Sequence, residues 1–169
     1  VGGRSVLPMV ALRHFLEHAG LADVRTLLQS GNAVFRSATK SPAALEARLG
    51  RAAATGLPVA TEFFVRTAAE WDALIDACPF EADARTRPAR LIVSCLKAAP
   101  AGGAVETLRA MARGDERLSL VGRTLYIVYP DGIHASKLTG AAIERALGVR
   151  TTARNWNTVL KLSALAAGM

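Results

Sequence analysis

Six consecutive residues near the C-terminus, Ala153-Arg154-Asn155-Trp156-Asn157-Thr158, place a cation, two amides, an indole and a hydroxyl just before the last apolar run. The first N–H groups of a helix attract anions, and a guanidinium matches two oxygens of a phosphate. Arg154, Asn155 and Asn157 are therefore candidate ligands for a phosphate-bearing molecule, with Trp156 in position to stack on a base. The same residues support an architectural reading. Asn155 or Asn157 then caps the helix, Trp156 anchors it in the core, and Arg154 pairs with a carboxylate. A core position is the simpler expectation for Trp156; for Arg154 both readings stay open.

Leu28-Gln29-Ser30-Gly31-Asn32 is the second chemically specific stretch, and it adds Gln29, Ser30 and Asn32 to the candidates. A Ser-Gly turn after a strand can expose a nucleophile, but catalysis also needs a base within hydrogen-bond reach. His14, His18 and His134 are the only imidazoles, and none lies in a pairing motif. The G-x-S-x-G elbow of hydrolases is absent as well. Turn geometry accounts for the stretch without catalysis: Gly31 and Asn32 tolerate positive φ, and Gln29 and Ser30 bond to nearby backbone.

Ser136-Lys137-Leu138-Thr139-Gly140 sets a cation and hydroxyls at a helix start, without the glycine spacing of a phosphate loop. Lys137, Arg145, Arg150, Arg154 and Lys161 stand against Glu144 alone over residues 134–161, a local net of +4. Arg4, beside the N-terminal glycines, joins this diffuse basic face if the chain ends meet. The whole chain carries +7, which favours nucleic acid, a nucleotide or another phosphorylated ligand as partner. The competing reading is compositional, with Arg filling solvent-facing positions of an Arg- and Ala-rich chain.

Other chemistries lack their residues. Asp131 and Glu144, the nearest acids to the basic segment, form no paired-carboxylate pattern of the kind magnesium sites use. His14 and His18 lie one helical turn apart with no third ligand, and Cys78 and Cys95 end apolar patterns as buried free thiols, so no metal is expected. No pattern identifies a cofactor. Tyr126 and Tyr129 have odd spacing, which puts them on opposite faces of a strand and argues against a two-aromatic RNA-binding sheet. No apolar run approaches the ~20 residues that span a bilayer. Without a recognisable signal peptide, the cytoplasm is the expected location.

The elements that position these residues follow from periodicity. Pro8 opens a helix with Leu12, Phe15, Leu16 and Ala19 inward, stopped by Gly20. Strands are predicted over residues 24–28 and 33–36, joined by a tight turn at residues 29–32. Ser41 caps and Pro42 opens a helix with Leu45, Leu49, Ala52 and Ala53 inward, and residues 59–65 read as a further strand. Thr67-Ala68-Ala69-Glu70 is a capping box before a helix carrying Trp71, Leu74, Ile75 and Cys78. Residues 80–88 read as a polar connector. A strand over 90–96, a helix over 104–111 and a hairpin of 118–121 with 124–129 about Gly122-Arg123 follow. A helix from Ser136 or Thr139 to Leu147, a short edge strand over 149–152 and a terminal helix with Leu160 and Leu165 inward complete the chain.

Each half approaches the order β-α-β-β-α-β, the first lacking its opening strand. The predicted fold is α+β, with two ferredoxin-like subdomains and antiparallel or mixed sheets. Residues 1–78 form one, with a linking helix, and residues 79–169 the other, with the terminal helix.

The stretches Leu28-Gln29-Ser30-Gly31-Asn32-Ala33-Val34-Phe35 and Thr152-Ala153-Arg154-Asn155-Trp156-Asn157-Thr158-Val159 resemble a family of small bacterial proteins, domain of unknown function 1697. The likeness extends to Val1-Gly2-Gly3, Leu7-Pro8-Met9, Pro79-Phe80, Pro130-Asp131-Gly132-Ile133 and Ser136-Lys137-Leu138-Thr139, and so to essentially the whole chain. It implies a strand and a Leu-Leu-Arg-Gly-Ile-Asn loop ahead of Val1, with part of any site among them. It implies no activity. The expectation is a binding module for a phosphate-bearing ligand or nucleic acid. One alternative is an enzyme on a small phosphorylated or nucleotide substrate, in which Ser30, Asn32, Lys137 and Arg154 converge in one pocket. The other is a structural or protein-interaction role.

Overall fold

A computed structural model describes residues 7–169. Its two compact units are one that runs up to Trp71 and resumes over Leu162–Met169, and one formed by Asp72–Lys161.

In the first unit, helix α1 (Met9–His18) buries Leu12 and Leu16, and Gly20 follows it at φ +79°. Strands β1 (Ala22–Leu27) and β2 (Asn32–Arg36) form an antiparallel hairpin with Leu27 opposite Asn32. The register slips between Ala22 and Arg25, where Asp23 takes φ 53°. Helix α2 (Pro42–Gly56) starts on Ser41, whose hydroxyl accepts from the Ala44 N–H at 3.2 Å. It buries Leu45, Leu49 and Ala53, whereas Ala52, expected inward, is exposed. These stripes share a core with Leu7, Leu21 and Val24, flanked by Phe15 and Phe63, whose rings stack at 5.8 Å.

Two expectations fail here. Positive φ falls on Leu28 and Gly31, not on Gly31 and Asn32; Asn32 is already in the strand. The stretch over 59–65 is not a strand, although Val59, Phe63 and Val65 pack against the core. The Val65 N–H donates to the Glu46 carboxylate at 2.6 Å, so a side chain of α2 satisfies a group that a ladder would have used.

Helix α3 (Ala68–Asp76), whose sequence straddles the division between the units, begins with the predicted capping box. The Thr67 N–H donates to Glu70 Oε2 at 2.8 Å, and the Glu70 N–H to Thr67 Oγ1 at 3.1 Å. Where a connector was expected, Glu81–Thr86 forms a short helix, α4. It has no apolar stripe to betray it. Its stabilising contacts are polar: Thr86 Oγ1 donates to the Ala82 carbonyl at 2.7 Å, and Arg87 reaches back to Asp83 at 2.8 Å.

The second unit then runs β3 (Leu91–Leu96), α5 (Ala104–Met111), β4 (Arg117–Val121), β5 (Thr124–Val128), a 3-10 turn (Ile133–Ala135), α6 (Gly140–Leu147), β6 (Thr151–Asn155) and the start of α7 (Trp156–Ala167), whose residues from Leu162 belong to the first unit. The sheet is antiparallel throughout, in the order β4-β5-β3-β6. Leu96, Leu125, Ile127 and Tyr129 pack on one face with Leu108 of α5 and Ile143 and Leu147 of α6. Tyr126 faces the other way, and its hydroxyl donates to the Leu74 carbonyl at 2.5 Å. The two tyrosines thus lie on opposite faces, as their spacing requires. Every residue of β5 is buried, because both of its faces are covered.

One open choice is decided and one boundary moves. Thr139, not Ser136, caps α6; its hydroxyl accepts from the Ala142 N–H. The last strand begins at Thr151 and runs into Asn155, because it pairs with β3 from Leu96↔Thr151 to Ile92↔Asn155. Arg154 is therefore a strand residue, not a helix-start residue.

Candidate functional site

At the hairpin tip, Leu28 and Gly31 supply the positive φ that closes the turn. Asn32, only 6% exposed, holds it from inside: its Nδ2 donates to the Leu27 carbonyl at 3.1 Å and to Ser30 Oγ at 2.8 Å. Ser30 is half-buried and Gln29 exposed. The Ser30 hydroxyl thus accepts within the turn, an arrangement that positions the hairpin tip.

The junction of β6 and α7 holds the other candidates. Arg154 sits opposite Val93, on the sheet face shared with Tyr126, away from the α5 and α6 core. Its Nη1 donates to Thr152 Oγ1 at 3.0 Å and to the Ala153 carbonyl at 2.7 Å. Burial pushes its pKa down from the usual guanidinium value. Asn155 is the helix cap, accepting the Thr158 N–H and hydroxyl on one oxygen. Trp156 is 5% exposed, as a core anchor should be, and Asn157 is exposed in the first turn of α7.

Lys137 is exposed and immediately precedes Leu138, which packs with the α5 and α6 core; Arg154 lies on the opposite side of the sheet. Lys137, Arg145 and Lys161 are exposed and form no ion pair among the described residues, whereas Arg150 is neutralised by Glu144 at 2.6 Å. Gln29, Ser30 and Asn32 belong to the first unit; Lys137, Arg154, Asn155 and Asn157 belong to the second. Arg4 lies outside the described residues.

One cluster was not anticipated. Asp83, on α4, has a side chain only 5% exposed, and two arginines bracket it: Arg87 Nη2 donates to Oδ1 at 2.8 Å and Arg117 Nη2, from β4, to Oδ2 at 2.6 Å. The Arg117 guanidinium also lies over the Phe80 ring, 5.3 Å from its centre. Burial works to raise the Asp83 pKa, but the hydrogen bonds and charges of Arg117 and Arg87 outweigh it, so the carboxyl titrates below its usual range. Beside it, Glu116 accepts from the Ser136 hydroxyl and from the Gly114 N–H, and the serine contact is the main cause of its lowered pKa. Arg87, Asp115, Glu116, Arg117 and Pro130 line an open cleft of about 440 Å³. The Asp83 and Arg87 spacing of four residues was a readable signal; Arg117, 34 residues from Asp83, was not.

Neither Cys78 nor Cys95 is in a disulfide, both are buried, and burial raises the Cys78 pKa. No helix among the described residues is long and apolar enough to cross a membrane. No group of three or more His, Cys, Asp or Glu is arranged among them to hold a metal ion.

A family model described as a protein of unknown function, DUF1697, matches residues 1–126, which include the hairpin motif but end before β6. The conserved bacterial protein SP0830 from Streptococcus pneumoniae has a similar structure. It is 21% identical, with a TM-score of 0.68 over 98% of this chain and 92% of that one, a likeness of fold alone. No curated protein matches the chain.

Proposed function

We propose that this chain, which belongs to the DUF1697 family of proteins of unknown function, is a binding module for a phosphate-bearing ligand or nucleic acid. One observation carries the reading. The second unit holds thirteen Lys and Arg against nine Asp and Glu, and its whole surplus of four lies within residues 134–161. Three cations of that segment, Lys137, Arg145 and Lys161, are exposed without ion pairs among the described residues. Exposed cations of this kind gain from displacing the counterions of a phosphate chain. Asn157, exposed at the start of α7, and Gln29 are the polar candidates still turned to solvent.

An architectural reading is favoured at three other candidates. Asn32 and Asn155 spend their side chains on the hairpin and the helix cap, and Ser30 accepts within the turn. The same reading extends to the fold. The β-α-β-β-α-β order of the second unit and its sheet order β4-β5-β3-β6 support a ferredoxin-like arrangement there. In the first unit the support is the succession of α1, β1, β2 and α2.

The test is anisotropy of a labelled single-stranded oligonucleotide and of a fluorescent ATP analogue, titrated at low and near-physiological salt. Binding that weakens steeply with salt, and weakens further in a Lys137→Glu/Lys161→Glu variant, supports the proposal. Absence of binding at low salt removes it.

A further inference from the structure

We propose that the cleft beside the Asp83 cluster is a separate binding site, for a small zwitterion of the α-amino acid type. It does not depend on the basic segment. The buried Asp83 carboxylate takes one N–H from each of Arg87 and Arg117 and so pins two guanidiniums at a fixed spacing. Each guanidinium carries five N–H groups. The two arginine side chains remain 52% and 49% exposed, and Asp83 is their only carboxylate partner among the described residues. The N–H groups not directed at Asp83 are the natural fork for a second carboxylate, and the Phe80 ring lies against the Arg117 guanidinium.

The charges around the cleft select the ligand. Two cations, Arg87 and Arg117, line it together with two acids, Asp115 and Glu116. Glu116 is occupied by Ser136 and Gly114, whereas Asp115 is exposed and has no partner among the described residues. A simple anion meets repulsion from the acids, and a simple cation meets the guanidiniums. An α-amino acid offers a carboxylate to Arg87 and Arg117 and an ammonium to Asp115. A polyphosphate chain carries only the first of these charges, so this site and the basic segment call for different ligands.

NMR on 15N-labelled protein tests the assignment, following the arginine Nε–H signals and the Asp115 amide during separate titrations with glycine, L-glutamine, acetate, methylammonium and inorganic phosphate at matched ionic strength. Glycine or L-glutamine should shift these signals saturably, at least about tenfold more tightly than acetate, methylammonium or phosphate. Arg87→Gln leaves Arg117 on Asp83 and should weaken amino-acid binding about tenfold or more with the fold retained. Asp115→Asn, at an exposed position, should erase the preference for glycine over acetate. Absence of saturable shifts with both amino acids, equal response to acetate, or tighter binding of phosphate would each overturn the proposal. Saturable shifts that survive unchanged in Arg87→Gln would do so as well.

Discussion

Asn155 Oδ1 accepts two hydrogen bonds from one residue, the backbone N–H and the hydroxyl of Thr158, each at 3.0 Å. This closes the first turn of α7 and spends an amide that, read as sequence, was a candidate ligand. Replacing a capping Asn by Ala costs about 1 kcal/mol. Asn155→Ala should lower the free energy of unfolding by about that much, whereas Asn157→Ala, at an exposed neighbour with no such bond, should stay within about 0.5 kcal/mol of the parent. Urea denaturation of the two variants checks this, and equal losses would refute the assignment of Asn155 as the cap.

Trp156 follows the cap and is 5% exposed. Truncating a buried Trp to Ala costs ~3–5 kcal/mol, through lost burial and the cavity left behind. Trp156→Ala should show that loss in denaturant midpoint with little change in slope. A variant as stable as the parent, but defective in oligonucleotide binding, would move Trp156 from the core to the ligand site.

Much of this arrangement was legible because the determining signals were local. Gly122-Arg123 between two apolar runs marked the β4–β5 hairpin, Ser41-Pro42 the start of α2, and Thr67 with Glu70 the start of α3. Most misreadings involve partners distant in sequence or an absent pattern. Residues 59–65 alternate like a strand, yet the Val65 N–H goes to Glu46, 19 residues away. The start of β6 is set by its pairing with β3, some 55 residues earlier in sequence terms as Leu96↔Thr151. Helix α4 has polar contacts and no apolar stripe. At the first hairpin, Leu28 takes a positive φ that residue type alone assigns to Asn32; the Asn32 side chain, bonded to Leu27 and Ser30, is what closes the turn.

Gly132 stands in the turn after β5 with φ 94° and ψ 155°, a region that is essentially restricted to glycine. A Cβ there would also come within 2.2 Å of Arg90 Nη1, but that atom is the end of a flexible side chain and can move. The backbone conformation, not the contact, therefore sets the cost. Gly132→Ala should destabilise the protein by about 1–3 kcal/mol. Gly140→Ala, in α6 with nothing near the added methyl, should instead be neutral or stabilising by up to about 1 kcal/mol. Thermal or urea denaturation of the pair gives the answer, and equal effects would show that the turn tolerates a side chain.

The Asp83 cluster ties acid stability to a buried carboxylate. Its pKa is depressed in the folded protein, so the unfolded chain binds the proton more readily. The stabilisation is complete above the unfolded carboxylate value of about 3.9, and is lost as pH falls through the lower folded value. Glu116, also depressed, adds a second contribution of the same sign. Asp83→Asn should therefore lose stability at neutral pH, by about 1–3 kcal/mol, because a buried charged hydrogen-bond partner is removed while both arginines can still reach water. Its difference from the parent should shrink below about pH 4, where the unfolded parent chain takes up the proton, and close as the folded carboxyl is neutralised at lower pH. Urea denaturation across that range reads both effects together. A deficit that stays constant into acid would mean that Asp83 acts through the shape of α4 and not through its charge.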